Sequence, residues 1–187
     1  MSSFDRIVLR AAETNTLVSV LLELTYRCNL DCFFCYNDRD KAGQPLGFIS
    51  AGHPEARKWV VSVLQEIATK YHPDGILLDY CRYPGTEAQM DPVAQAEFEA
   101  SHPADQFPPD STQYKDEFRK FKRECLTGLV GQISGALRAL TPKPRIAVYM
   151  WGAHELKGTR DWRTWAERGY LDMLNLTGYS YREQHGD

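Results

Sequence analysis

An α/β fold, a partial β/α (TIM-like) barrel with parallel strands, is what three observations predict. From His53 onward, runs of helix length with one apolar stripe alternate with apolar runs of strand length. The run Ile76-Leu77-Leu78 is too apolar to face water, as in the buried strands of parallel sheets. The chain has 187 residues, enough for one sizeable core but short of the roughly 250 that eight β/α units usually take.

Taken in order, residues 4–12 read as a short helix and 17–24 as a strand-like apolar run that feeds directly into a cysteine-rich loop. Pro54 suits the first turn of a helix, where its missing N–H costs nothing, and that helix is expected to reach about Tyr71. Val60, Val63, Leu64, Ile67, Ala68 and Tyr71 form its apolar stripe, so it should lie on a sheet. His72-Pro73-Asp74-Gly75 turns the chain into the strand that ends at Asp79, and Pro84 stops any continuation. From there to about Thr112 the chain is expected to be irregular apart from a short helix over 92–100, because four prolines interrupt it. A loop of this length usually serves a site. Residues 113–140 form the second long helix, with Phe118, Phe121, Cys125, Leu129, Ile133 and Leu137 on its inward stripe and Gly128, Gly131 and Gly135 loosening it. Residues 145–151 read as the next buried strand. Asp161 caps a short helix that Gly169 closes, and 171–179 is the third strand.

Charge and composition exclude several classes of partner. A net charge of −3, with 25 % charged residues, leaves neither a nucleic-acid footprint nor a polybasic membrane surface. No run approaches the 18 or so apolar residues of a membrane span, and the start lacks the charged and apolar regions of an export signal. Five cysteines, three of them within eight residues, fit metal binding in a reducing compartment better than a disulfide framework, so a cytoplasmic location is expected.

The chemistry-bearing residues gather at strand ends. Asp79 is the leading carboxylate, since a strand terminus fixes it and Tyr80 and Arg82 lie close enough to orient a substrate or stabilise charge. The plainer alternative is a strand-end aspartate that binds backbone N–H groups. Glu155 follows the next strand on a loop and is the candidate second carboxyl group. Trp151, His154, Asn175 and Tyr179 lie at or beyond strand ends, where aromatic rings offer stacking faces and amides hydrogen bonds to a polar ligand. Asp74 precedes its strand and is expected to serve the turn. His53, His72, His102 and His185 show no ligand spacing and are read as surface residues, and Cys81 and Cys125 as buried thiols.

Cys28, Cys32 and Cys35 have the spacing C-x3-C-x2-C, which places three thiolates on one tight loop. With Glu23-Leu24-Thr25-Tyr26-Arg27 before it and Phe34 just ahead of the last cysteine, the segment over 17–46 resembles the cluster loop of the radical S-adenosylmethionine enzymes. The resemblance implies that the three cysteines hold a four-iron four-sulfur cluster whose open iron binds S-adenosylmethionine. Zinc with an outside fourth ligand, or no metal at all, is the alternative. The glycine-glycine-glutamate-proline type segment that holds the cofactor's amino group in that family is missing here.

A second resemblance covers residues 48–181. His53-Pro54-Glu55, the segment from Asp74 to Asp79-Tyr80 and Arg82-Tyr83-Pro84, Phe118-Arg119, Asp161-Trp162-Arg163, Trp165 and Glu167-Arg168-Gly169 before Asp172 are together similar to the glycosyl hydrolase-like 10 family. That family resembles the β/α-barrel glycosidases of the amylase type, and some members cleave peptidoglycan glycans. The resemblance implies hydrolysis of a bacterial glycan or oligosaccharide without a cofactor; Asp79 is the candidate catalytic carboxylate by its position, and Glu155, among several other carboxylates, the candidate acid. The chain then divides at about Gly47 into a radical-enzyme-like first element, 1–47, and a glycosidase-like body, 48–187, as a chimera of two β/α parents would. A barrel fragment without catalysis is the third reading. Open barrel edges are expected to promote self-association.

Overall fold

A computed structural model describes residues 49–79, 81–83, 90–150 and 159–176. The chain divides into two compact units, Met1–Phe48 and Ile49–Asp187, and every described residue belongs to the second. The expected helix at 4–12, the strand at 17–24 and the cysteine loop lie outside the described residues, as do Tyr80, Trp151, His154, Glu155, Tyr179 and His185.

Local chemistry sets the helix boundaries. Helix α1, Pro54–Tyr71, starts where the His53 ring nitrogen Nδ1 accepts from the Glu55 N–H at 3.2 Å, and Pro54 occupies the first turn. It ends at His72, whose N–H donates to the Ala68 carbonyl and whose left-handed backbone (φ 47°) turns the chain out of the helix. Strand β1, Gly75–Leu78, follows. Helix α2, Pro92–Ser101, is capped by Asp91, whose Oδ1 accepts from the N–H groups of Val93 and Ala94. Ser111 caps helix α3, Thr112–Arg138, by accepting from the Tyr114 N–H. Strand β2, Arg145–Met150, leads to helix α4, Trp162–Glu167. Asp161 caps α4 as expected, accepting from both the N–H and the hydroxyl of Thr164. Gly169, at φ 68°, turns the chain into strand β3, Met173–Leu176.

The fold is the mixed α/β arrangement of a β/α-barrel segment. Its three strands are parallel and lie in chain order, β1-β2-β3. Leu77 pairs in register with Ala147, which pairs with Met173; two residues further on, Tyr149 pairs with Asn175. The alternation along β2 is strict. Ile146, Val148 and Met150 are fully buried in one core cluster with Leu126, Leu129, Val130, Ile133 and Leu137 of α3, Ala68 of α1 and Trp165 of α4. The opposite face carries Leu77 and Met173, which remain 47 % and 53 % exposed. That second face is the one a closed barrel turns inward.

Helix α3 does two jobs along its length. At 27 residues it runs about 40 Å, twice the roughly 20 Å of a six-residue strand. Its second half covers the sheet. In its first half Phe118 and Phe121, on the expected inward stripe, pack on Phe98 of α2, so these two rings serve the α2–α3 contact. Phe98 is fully buried, edge-on to Tyr114 and stacked 4.2 Å from the His102 ring. His102 is therefore a half-buried packing residue, which corrects its reading as a surface histidine.

The starting end of the sheet is fastened by Asp172. Its carboxylate accepts from the Ile146 N–H at 2.8 Å and from Arg138 Nη2 at 3.0 Å, and its own N–H donates to the Ile146 carbonyl. The Ile146 N–H first, then the Arg138 guanidinium, hold this carboxyl below the usual carboxylate range in spite of some desolvation. Among the described residues, no helix is long and apolar enough to cross a membrane.

Candidate active site

The finishing ends of parallel strands are where α/β folds place their chemistry. Asp79 comes one residue past β1 and is exposed. The two-residue period of a strand puts it on the same face as Leu77, and Tyr149 stands two residues beyond Leu77's partner Ala147. Asn175, also exposed, is Tyr149's partner on β3. A carboxylate, a phenol and an amide therefore follow one another across three strand ends. Of the residues singled out from the sequence, Asp79 and Asn175 share this row. Arg82 lies half-buried in the loop just after Asp79.

Two residues of this region were passed over in the sequence. Tyr149 looked like part of a buried run, and only the register reveals that it faces away from the helices. Arg160 is the other. It is 5 % exposed, and its Nη1 donates to the Tyr149 carbonyl at 3.1 Å. The signal available was modest: a lone arginine just before the Asp161 cap, on a connection that returns from the end of β2.

Behind the row, the loop over 81–83 turns inward. Burial pushes the Cys81 thiol up to about 12, against the opposing pull of the Arg160 guanidinium, so this cysteine stays a thiol near neutral pH. Burial likewise raises the Cys125 thiol to about 11. Tyr83 is buried, and desolvation first, then the neighbouring Cys125 and Asp91, push its phenol well above its ordinary value. Burial alone would raise the Asp91 carboxyl too, but the Ser50 hydroxyl and the N–H groups of Ala94 and Val93 outweigh it and hold the group low. Ser50 lies near both side chains, yet neither the Tyr83 hydroxyl nor Asp91 Oδ2 completes a hydrogen bond of ordinary geometry. Lys122, fully buried on α3, sets its ammonium 5.5 Å from the centre of the Tyr83 ring and 4.8 Å from that of Phe118. Tyr83 thus acts as a structural plug that seats the loop carrying Asp79 and Arg82 on α3.

The chemistry of such a row is acid–base and hydrogen-bonding chemistry on a polar substrate. Among the described residues no group of three or more histidines, cysteines or acids could hold an ion. The sequence comparison decides between the possible kinships. The model of the Glycosyl hydrolase-like 10 family matches residues 29–185.

The chain belongs to the glycosyl hydrolase-like 10 family.

The match covers the whole sheet, α1 to α4 and the candidate row, and it begins well before residue 48, where the resemblance had been expected to start. It takes in Cys32 and Cys35 but not Cys28. The comparison lends no support to a radical-enzyme segment or to a junction near Gly47. Searched against curated proteins, the chain finds no match.

Proposed function

We propose that this glycosyl hydrolase-like 10 chain hydrolyses O-glycosidic bonds of a bacterial glycan or oligosaccharide, with Asp79 as its catalytic carboxylate. The observation that carries this reading is the placement of Asp79: exposed, just past the finishing end of a barrel strand, in a row with Tyr149 and Asn175. Glycosidases use two carboxyl groups, one giving a proton to the leaving oxygen while the other attacks the sugar carbon or removes a proton from the attacking water. Asp79 takes the second role. Glu155 takes the first: it lies outside the described residues, on the connection between β2 and α4, which starts and finishes beside the row. Arg82 and Asn175 then bind and orient the sugar, together with Tyr80, Trp151 and Tyr179, which lie outside the described residues.

The test is release of reducing ends from soluble peptidoglycan glycan strands. Asp79→Asn is expected to lower kcat by at least about 100-fold, the scale of a lost acid–base group, while the melting temperature stays close to that of the wild type. Equal activity in both proteins would overturn the assignment.

A second reading rests on the cysteine spacing alone. Cys28, Cys32 and Cys35 would hold a four-iron four-sulfur cluster that cleaves S-adenosylmethionine reductively. Anaerobic reconstitution with iron and sulfide checks it: about four irons per chain, lost in the triple alanine variant, is the expected result for a working cluster. No bound iron would remove this reading and leave the cofactor-free hydrolase.

A further inference from the structure

We propose that Tyr149 is a substrate-contacting residue, its ring the platform on which the sugar next to Asp79 stacks; this rests on the hydrolase reading above.

The placement follows from β2 itself. Ile146, Val148 and Met150 spend one face of the strand on the helices, which leaves Ala147 and Tyr149 on the other. On that face the rows succeed one another as layers. The lower is Leu77, Ala147 and Met173, wholly apolar, of the kind that fills a barrel. The upper is Asp79, Tyr149 and Asn175, where the polar groups begin. Tyr149 is the middle member, with its partner Asn175 one strand spacing away, about 4.8 Å at the backbone, and Asp79 just past the end of the strand on its other side. A pyranose ring lying over this row covers the tyrosine face while its hydroxyls meet the carboxylate and the amide.

The backbone and the side chain of Tyr149 are used differently. Its carbonyl is gripped by the buried Arg160 guanidinium at 3.1 Å. Its phenol makes no hydrogen bond among the described residues, and the side chain is only half-buried. A fixed main chain carrying an uncommitted aromatic ring beside a carboxylate is the arrangement that binding sites employ: the ring supplies apolar contact at little entropic cost and the rigid strand sets its position. A tyrosine that served the core would bury its ring with Val148 and Met150.

The full chain is assayed on soluble peptidoglycan glycan strands for binding, by calorimetry, and for cleavage, by reducing-end release. Tyr149→Leu keeps apolar bulk on the strand and removes the ring; Tyr149→Phe keeps the ring. The leucine variant is expected to raise Kd and KM about tenfold, near the upper end of what one aromatic contact contributes, with a smaller change in kcat. The phenylalanine variant is expected to stay within about threefold of wild type, as fits loss of an uncommitted hydroxyl. Wild-type cleavage with an unchanged KM in Tyr149→Leu overturns the role of Tyr149 and leaves the hydrolase reading standing. Binding without cleavage, lost in Tyr149→Leu and kept in Tyr149→Phe, supports Tyr149 and overturns hydrolysis. A wild type that neither binds nor cleaves overturns both.

Discussion

Asp172 joins three things at one carboxylate: the Ile146 N–H, the Arg138 guanidinium and, through its own backbone, the start of β3. Its pKa lies lower in the folded chain than in an unfolded one. The stability it contributes is therefore complete above the unfolded-state value and is lost as the pH falls through the folded-state value. Asp172→Asn is expected to flatten the acid side of the stability profile, measured as melting temperature against pH, while leaving the neutral-to-alkaline side parallel to that of the wild type. An acid limb as steep as before would locate the acid sensitivity elsewhere. Single residues of this kind were unevenly legible in the sequence. Asp161 and Pro54 could be read because capping is settled within one turn of chain. Tyr149 could not, because the run 146–151 is apolar throughout and does not show which alternate set meets the helices, and its neighbour Asn175 lies 26 residues away. Phe118 and Phe121 illustrate a third case, in which helical spacing correctly marks residues as inward-facing and is silent about which neighbour they meet.

Helix α3 is continuous through glycines that the sequence offers as weak points, and two of them differ in what surrounds them. A methyl group added at Gly135 meets nothing within 4 Å, whereas at Gly131 it approaches the Tyr170 ring to 3.0–3.2 Å. Gly135→Ala should therefore stabilise the fold by about 0.5–1 kcal/mol, the difference in helix propensity alone. Gly131→Ala is expected to gain less than that or to lose stability, since Tyr170 must give way. Urea unfolding of the two variants checks the contrast, and equal shifts would show that Tyr170 is not held in place. At the scale of elements the sequence was most informative: helix, strand and helix alternate where the periodicity changes, and the boundaries of α1 and β1 follow from Pro54, His72 and Gly75. Helix ends were less legible. α3 stops at Arg138, before Pro142, because the turn that feeds β2 needs those residues, and no side-chain signal announces that need.

The molecule as a whole buries one side of its sheet and leaves Leu77 and Met173 on the other about half exposed. We infer that the open edges of this partial barrel, at the outer strands β1 and β3 that carry Leu77 and Met173, bring copies of the chain together. Sedimentation velocity is expected to show association that grows with concentration and weakens in the double variant Leu77→Glu, Met173→Glu; a wild type that stays monomeric across the concentration range would overturn the inference. Barrel ancestry was legible from the parallel pattern, but which strand residues form inner layers was not, since that is fixed by register between strands. The Arg160 guanidinium on the Tyr149 carbonyl has a corollary for chain length. It ties residue 160 to residue 149 whatever number of residues lies between them. Lengthening a loop whose ends are already pinned costs only about 0.6 kcal/mol for each doubling. An insertion between residues 150 and 159 is thus expected to be tolerated, while the strand that presents Tyr149 stays where it is.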